Sequence, residues 1–396
     1  MDGRPTSHRV DTVARATPFQ RLYEFYRLSG YERRRHEPGV LDFTFGDPHE
    51  PPSEAYVEAL REATVPQHEL WFAYNFGDAK AIDAATESLR RHVGMPFEPA
   101  DVHLTTGGFA AISTALKIVG DPGDEVLYSL PPWFLYEGLI LEAGLVPVKV
   151  SIDRDTFDLD LDAIAAAITP RTRIVIVNSP NNPTGRIYPP ETLERLAAVL
   201  EDASQRNGRR IHLVSDEAYN RIVYDGAHFR SPTEFYPWSF LAYSYGKTLL
   251  SPGERIGYLA VPPTMPDREE LRAAIEAIQI TGGWLFPNAS MQYALPKLET
   301  LAFDIPLYQR KRDVMVAALR EIGYRVSVPE GTFYLFPEAP GGDDAAFAQA
   351  LDREGVLVLP GTMFETPGFF RICLTATMAT IEESLPRFAA AFDRVG

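Results

Sequence analysis

Short apolar runs alternate with amphipathic stretches along the middle of the chain, from about residue 102 to residue 260. The runs are rich in β-branched and aromatic residues, while stretches such as residues 190–204 have the spacing of a helix with one buried face. This alternation predicts an α/β domain with a doubly wound, mostly parallel and buried sheet. The predicted strands include residues 125–128, 173–177, 211–214 and 240–244.

The pattern changes after about residue 305. A helical stretch over 306–322 is followed by short strand-like runs and further helical stretches, which predicts a smaller α+β domain. The first 48 residues either join that domain or run over the surface as an arm. We therefore predict an arm with part of the small domain over residues 1–48, a large domain over 49–300 and a small C-terminal domain over 301–396.

Charge and composition narrow the class of protein. The 396 residues carry a net charge of −16, which argues against a nucleic acid as partner because phosphate binding needs a basic surface. No apolar run reaches the length of about 20 residues that a membrane span needs, and Cys373 is the only cysteine. The histidines lack the spacing of metal ligands. We expect a cytoplasmic protein with no metal, no membrane and no nucleic acid among its partners.

Ligands of such sheets collect at the carboxyl ends of the strands, so the residues that follow each predicted strand are the candidates for a site. Gly107 and Gly108 follow the first strand, and Phe109 comes next in a predicted helix. The free backbone N–H groups and the dipole of a helix N-terminus suit a phosphate. A plain tight turn is the alternative for this stretch.

Polar side chains follow the next two strands. Asn182 lies in a turn rich in proline and asparagine, where its amide either binds a ligand oxygen or only shapes the turn. Asp216 and Glu217 end a buried strand, and Tyr219 follows. A carboxylate there can hold a protonated pyridine nitrogen. Two carboxylates also occur in glycoside hydrolases, but adjacent strand residues point to opposite faces.

Lys247 stands just after the predicted strand 240–244, and Arg255 follows in a turn with glycine and proline. A lysine that faces a pocket can form a Schiff base with an aldehyde cofactor, whereas a lone lysine after a strand is usually solvated. The order of the candidate residues along the chain favours a pocket-facing Lys247 over a solvated one. A phosphate nest, an amide, a carboxylate, a lysine and an arginine together indicate a pyridoxal-phosphate site.

With these motifs the chain resembles the fold type I pyridoxal-phosphate enzymes, specifically the class I/II aminotransferases related to aspartate aminotransferase. Asn-x-Pro-Thr-Gly, Asp-Glu-Ala-Tyr, Ser-x-x-Lys and a later arginine occur in the family's order. The resemblance extends from about residue 41 to the C-terminus. It implies pyridoxal 5′-phosphate as cofactor, a large doubly wound domain and a smaller α+β domain.

The resemblance also implies roles for the residues that carry the chemistry. Lys247 is expected to form the internal aldimine and to move the proton between Cα and C4′. Asp216 is expected to pair with the pyridinium nitrogen, while Tyr219 and Asn182 bind the 3′-oxygen. The remaining cofactor contacts implied by the family are Ser244 and Arg255 on the phosphate, the nest of Gly107, Gly108 and Phe109, and Trp133 stacked on the ring.

Substrate contacts follow from the same resemblance. Arg371 stands among apolar residues where the family places the arginine for the substrate carboxylate, and its planar fork suits a carboxylate. Gly46 resembles the family's N-terminal glycine against the substrate, and Trp133 and Asn182 complete the expected substrate contacts. Tyr74 matches a tyrosine that reaches the phosphate of the neighbouring subunit. A homodimer with shared active sites is therefore expected.

Three departures from the family pattern concern the pocket. Gly246 replaces a hydroxyl residue before the lysine, which is expected to loosen or enlarge the site. Phe109 stands where some relatives have a polar or cationic residue. The segment 281–287 contains no arginine, which weakens aspartate as substrate. Phe19, Trp284, Phe286 and Phe364 are candidates for an apolar pocket, with a core position as the favoured interpretation of each.

The function that the sequence supports best is a pyridoxal-phosphate-dependent aminotransferase acting between an L-amino acid and a 2-oxo acid. The alternative is a lyase, cyclase or amino-acid oxidase on the same fold, in specialised metabolism, because fold does not determine reaction. A non-catalytic sensing module has less support, since every motif position needed for chemistry is filled.

Overall fold

The computed structural model describes residues 5–395, and it has the predicted α/β architecture. The strands are β1 Leu41–Asp42, β2 Val102–Thr105, β3 Glu125–Ser129, β4 Val146–Val150, β5 Thr172–Asn178, β6 His212–Asp216, β7 Ser239–Ser244, β8 Gly257–Ala260, β9 Tyr334–Leu335, β10 Val356–Leu357, β11 Leu359–Pro360 and β12 Phe370–Cys373. The α-helices are α1 His8–Arg15, α2 Thr17–Arg27, α3 Tyr31–Arg34, α4 Glu54–Ala63, α5 Ala79–Val93, α6 Gly108–Val119, α7 Tyr136–Glu142, α8 Leu161–Ala167, α9 Pro190–Asn207, α10 Tyr245–Thr248, α11 Arg268–Thr281, α12 Ala289–Leu298, α13 Ile305–Ile322, α14 Asp344–Arg353 and α15 Met378–Val395.

The large sheet has seven strands in the order β2-β8-β7-β6-β5-β3-β4. The pairs from β7 to β4 are parallel, and β8 is antiparallel to both of its neighbours. The short connection from β7 through α10 to β8 explains this exception, because an antiparallel neighbour needs no long crossover. The mostly parallel sheet predicted from the sequence is confirmed.

Both faces of the sheet are buried, as its continuous apolar strands predict. Val126 and Tyr128 in β3 pack in one apolar cluster with α6 and α7, while Leu127 between them packs in another with α8 and α9. This alternation is the side-chain period of a strand. Helices cover the sheet on both sides, so the strand ends are where it remains open to a ligand.

The C-terminal part forms a smaller core around β9, β11 and β12, which make an antiparallel sheet. The N-terminal segment joins it, because β1 pairs in parallel with β10 and the backbone N–H of Cys373 donates to the carbonyl oxygen of Phe43 at 2.9 Å. The boundaries at residues 48 and 300 stay predictions. None of the helices within residues 5–395 combines the length and the apolar character that crossing a bilayer requires.

The sheet register places the candidate site. Asn178 at the end of β5 lies opposite Asp216 at the end of β6, and the neighbouring β7 ends at Ser244, three residues before Lys247. Three parallel strands therefore deliver polar residues to one edge. The glycine-rich start of α6 follows β2 at the same large sheet.

Candidate active site

A cavity of about 280 Å³ opens beside these strand ends. It brings together most of the cofactor residues predicted from the sequence. The predicted residues in its lining are Gly108, Phe109, Trp133, Asn182, Asp216, Tyr219, Ser244, Lys247 and Arg255.

One end of the cavity is suited to an anion. Gly107 has a φ of 88° at the N-terminus of α6, and a Cβ there would lie 2.7 Å from Nη2 of Arg255. A Cβ on Gly108 would lie 3.3 Å from Cβ of Ser244. Arg255 donates to the carbonyl oxygen of Pro252 at 2.7 Å, and it pairs with no carboxylate among residues 5–395. The backbone N–H groups, the hydroxyl and the guanidinium thus converge where a phosphate would fit.

Asp216 is a buried carboxylate with an exposed fraction of 6%. Its Oδ2 accepts a hydrogen bond from the Tyr136 hydroxyl at 2.5 Å, and its Oδ1 accepts one from the backbone N–H of Ala218 at 3.3 Å. Burial raises the pKa of the Asp216 carboxyl, while these hydrogen bonds and the charge of Lys247 oppose the rise. A protonated ring nitrogen would supply the close cationic partner that this carboxylate needs.

Lys247 lies in the first turn of α10, directly after β7, and its side chain enters the cavity. Burial lowers the pKa of the Lys247 ammonium, which makes the neutral amine available closer to neutral pH. Its Nζ lies 5.8 Å from the centroid of the Tyr219 ring. Of the two alternatives that the sequence left for this lysine, the structure shows the pocket-facing one.

A hydrogen-bonded chain connects Asp216 to Arg371. Asn178 donates through Nδ2 to the backbone oxygen of Asp216 at 2.9 Å and accepts at Oδ1 from the N–H of Asn182 at 2.7 Å. Oδ1 of Asn182 accepts from Nη1 of Arg371 at 2.9 Å. The amide of Asn182 is therefore directed at the arginine, with its position set by the neighbouring strand end.

Arg371 is a buried cation without a counter-ion in the described chain. It is 2% exposed, its Nη2 donates to the carbonyl oxygen of Thr44 at 2.7 Å, and its Nε has no hydrogen-bond partner. The guanidinium carbon lies 4.2 Å from the Tyr334 ring centroid and 4.8 Å from that of Phe364. A buried charge left in this state is costly unless a ligand neutralises it.

Gly46 lies close to Tyr334, whose ring packs against the guanidinium of Arg371. A Cβ at Gly46 would come within 2.8 Å of the Tyr334 hydroxyl, which itself lies 3.2 Å from the hydroxyl of Tyr219. Glycine at position 46 therefore lets the backbone approach the Tyr334 hydroxyl closely, where a side chain would clash. Gly46 and Arg371 adjoin the cavity through Tyr219 and Asn182.

Tyr74, predicted to reach the phosphate of a neighbouring subunit, lies away from the cavity of its own chain. Its side chain is 88% exposed and lines a separate surface depression with Trp284 and Phe286. The four aromatic candidates do not form one pocket, because Phe364 is buried under Arg371 and Phe19 lies on the N-terminal arm. For Phe364 the favoured core position is the observed one.

Gly246 lines the cavity and also packs against the turn before Arg255. A Cβ on Gly246 would lie 3.0 Å from Cα of Pro252 and 3.4 Å from the carbonyl oxygen of Ser251. Glycine therefore permits the close approach of this turn. The expectation of a looser site stays a prediction.

The family model described as aminotransferase class I and II matches residues 38–388. The chain belongs to this family. A probable aspartate/prephenate aminotransferase of Thermus aquaticus is 33% identical over 379 residues, covering 91% of this chain and 93% of the relative. An aminotransferase structure from Eubacterium rectale has a TM-score of 0.90 at 30% identity and covers 100% of both chains. A single mutant of the Thermus thermophilus aspartate aminotransferase has a TM-score of 0.86 at 30% identity, over 98% of this chain and 100% of the other.

These matches confirm the fold type I architecture and amino-group transfer as the reaction of this aminotransferase. Sequence reasoning missed Tyr136, Asn178, Thr44 and Tyr334, which contact the residues it did find. Asn178 had a signal, since it directly follows the predicted strand 173–177. Tyr136 had none, because its contact with Asp216 depends on how α7 packs.

Proposed function

We propose that the aminotransferase holds pyridoxal 5′-phosphate in the cavity beside β5, β6 and β7. The observation that carries the proposal is a pair of charged groups that form no ion pair within residues 5–395, Arg255 at the helix N-terminus and Asp216 at the strand end. A phosphate matches the first and a protonated pyridine nitrogen the second. Trp133, partly buried on the cavity wall, offers an aromatic surface for a planar ring.

When bound, this cofactor supplies an electron sink that makes the Cα–H bond of an amino acid acidic enough to break. The residues of the chain do the rest. Lys247 provides the amine that holds the cofactor and takes or returns the proton at Cα, a role for which its lowered pKa is suited. Asp216, oriented by the Tyr136 hydroxyl, keeps the ring nitrogen protonated.

Arg371 is proposed to bind the substrate α-carboxylate together with the amide of Asn182. An L-amino acid and a 2-oxo acid carry the same carboxylate, so one arginine serves both half-reactions. Nη1 and Nη2 are held by Asn182 and Thr44, and the Nε edge of the guanidinium has no partner in the described chain, so it is available to a ligand. Gly46 packs closely against Tyr334 beside this arginine.

We further propose a homodimer with shared sites. Leu70, Phe72, Tyr74, Phe76 and Leu285 are exposed together with the depression beneath them, and we call this surface the Tyr74 face. Exposed apolar patches of this kind mark interaction sites. A second copy of the chain would cover the face, and Tyr74 would reach the phosphate end of the other subunit's cavity.

We also propose a cytoplasmic location. Cys373, the one cysteine of the chain, is buried and unpaired, as is usual in a reducing compartment. Fractionation of the source cells with detection of the enzyme checks this.

The test is a titration of the purified enzyme with pyridoxal 5′-phosphate, followed by a panel of amino-acid donors. We expect the visible absorption of the bound cofactor to appear and then to change with at least one donor. Lys247→Ala should remove both signals, and Lys80→Ala on the exposed surface of α5 serves as the matched control. An unchanged absorption and activity in Lys247→Ala would refute the proposed site.

A further inference from the structure

Apolar side chains form the part of the cavity wall that the proposed cofactor contacts do not account for. Ile112 and Leu135 line it, and Phe109 stands in the first turn of α6 with 41% of its surface exposed. The Phe109 ring meets Trp133 edge to face, with centroids 5.6 Å apart and an interplanar angle of 90°. The contact with Trp133 leaves part of the Phe109 ring exposed at the cavity, where it can contact a ligand.

The N-terminal arm packs on the apolar cluster behind part of this wall. Leu22 and Phe25 of α2 pack against the same cluster as Trp133 and Leu135. No residue of α2 lines the cavity itself. The arginine in the same part of the arm, Arg21, donates to the carbonyl oxygen of Thr362 at 2.6 Å.

The cations in and beside the cavity already have ligands under the proposed function. Its charged lining residues are Asp216, Lys247 and Arg255. Under the proposed function the two cations bind the cofactor, and the nearby Arg371 binds the α-carboxylate. Neither of the two segments that form the Tyr74 face, residues 65–78 and 281–290, contains a lysine or an arginine, so a second copy would bring none from there.

A carboxylate of the protein near the site also disfavours an acidic substrate. Asp47 follows Gly46, and its carboxylate acts on the charge of Lys247 in the direction that stabilises the ammonium. Asp47 is half exposed and its Oδ2 lies 3.7 Å from Nη2 of Arg35, which also faces Asp42. A second carboxylate on the substrate would thus meet an acid nearby and no free cation in the described part of the cavity.

We propose that the amino donor of this enzyme has an apolar or aromatic side chain and that Phe109 is the residue that determines this specificity. The inference rests on the proposed function, because it assumes that the cofactor and the α-carboxylate occupy the polar part of the site. The substrate side chain then lies against Phe109 and the apolar wall. Dicarboxylic amino acids are poor donors because their distal carboxylate loses water without gaining a partner.

The test uses the cofactor-loaded enzyme and the first half-reaction alone, so that no acceptor influences the result. The rate of the absorption change is measured against the concentration of L-phenylalanine, L-leucine, L-alanine, L-aspartate and L-lysine. We expect phenylalanine and leucine to exceed aspartate by about 10²-fold in second-order rate constant, the range that pocket contacts can supply. Aspartate or lysine as the best donor would overturn the inference and leave the proposed function intact, whereas reaction with no donor would overturn both.

Phe109→Lys should lower the ratio of phenylalanine to aspartate by about 10²-fold, and Phe109→Leu should retain the apolar preference. The matched control is Phe19→Lys, because Phe19 has a closely similar exposed fraction of 42% on the arm. We expect it to leave the ratio unchanged. An equal change of the ratio in both lysine variants would contradict a specific role for Phe109.

Binding of unreactive acids gives a readout that does not depend on turnover. Hydrocinnamate and succinate are each titrated into the loaded enzyme, and the dissociation constants are read from the absorption of the cofactor. We expect hydrocinnamate to bind at least about 10-fold more tightly than succinate, and Phe109→Lys to reduce or invert that ratio. Tighter binding of succinate to the unsubstituted enzyme would overturn the inference.

Discussion

The cavity and the Tyr74 face are built in opposite ways. In and beside the cavity, Asp216, Asn182 and Arg371 are buried and held by hydrogen bonds within their own chain. On the Tyr74 face, the apolar side chains are exposed, and Tyr74 itself is 88% exposed. The position of the cavity follows from the order of the parallel strands. The Tyr74 face would become buried only in contact with another molecule. The cavity is therefore sensitive to isosteric changes of charge, and the face to changes of apolar surface.

The largest effect is expected from Asp216→Asn, which preserves shape and removes the charge at the centre of the cavity. The ring nitrogen loses its ionic partner, so we expect kcat to fall by about 10²–10³-fold, as when one preorganised electrostatic group is removed. Steady-state kinetics with the best donor measures this. The thermal midpoint should stay the same or rise, because the buried charge is costly to the free protein.

Glu217→Gln is the matched control for this change. Glu217 is the adjacent carboxylate, fully buried, and burial raises its pKa to about 7. It accepts hydrogen bonds from Ser215, Ser231 and Asn220 outside the cavity lining. Oδ1 of Asn220 has no partner, so a flipped amide can accept from the new glutamine. We expect kcat to stay within about threefold, and a loss equal to that of Asp216→Asn would refute the distinction between the two carboxylates.

The same contrast explains how much could be predicted from the sequence. Asn182, Asp216 and Lys247 were found because each follows an apolar strand, and parallel strands end at one edge of the sheet. Contacts that come from helix packing, such as Tyr136 on Asp216, leave no pattern along the chain. The packing of the turn at Pro252 against Gly246 was not predicted either, since this close approach is a three-dimensional feature.

The Tyr74 face could not be predicted from the pattern of its residues either. Its residues read as an ordinary mixture of apolar and polar positions, and only the resemblance singled out Tyr74. Trp284 and Phe286 belong to the segment expected to line the substrate pocket of the partner subunit, and they lie in the depression beside Tyr74. Aromatic residues give no indication by themselves of whether they face a core, a pocket or another subunit.

A charge introduced on the Tyr74 face tests whether this surface is the interface between two copies of the chain. We expect Phe72→Asp, at a side chain that is 62% exposed, to weaken self-association by about 10²-fold, because the new carboxylate would be buried without a partner. Light scattering coupled to size-exclusion chromatography over a dilution series measures the change. Leu28→Asp, at a side chain that is 71% exposed on the arm, is the control. Dimers of equal strength in both variants would show that the face is not the interface.

The smallest expected effect is a pH dependence of stability that comes from the large sheet and not from the Tyr74 face. Burial lowers the pKa of His212 in β6 to about 3 and that of His103 in β2 to about 4. Below the ordinary histidine pKa of about 6.5 the unfolded chain takes up protons that the folded chain does not, so stability falls as pH falls.

Each histidine contributes at most about 1.4 kcal/mol per pH unit to this loss, beginning near pH 6.5. We expect His212→Leu to reduce the slope of the unfolding free energy against pH between 6.5 and 4, as measured by urea denaturation of the cofactor-free protein. Self-association should show the same pH dependence with and without the substitution, because His212 lies in the sheet and not among the residues of the face. An unchanged slope in His212→Leu would mean that this histidine is protonated in the folded sheet, and the acid sensitivity would then have to come from elsewhere.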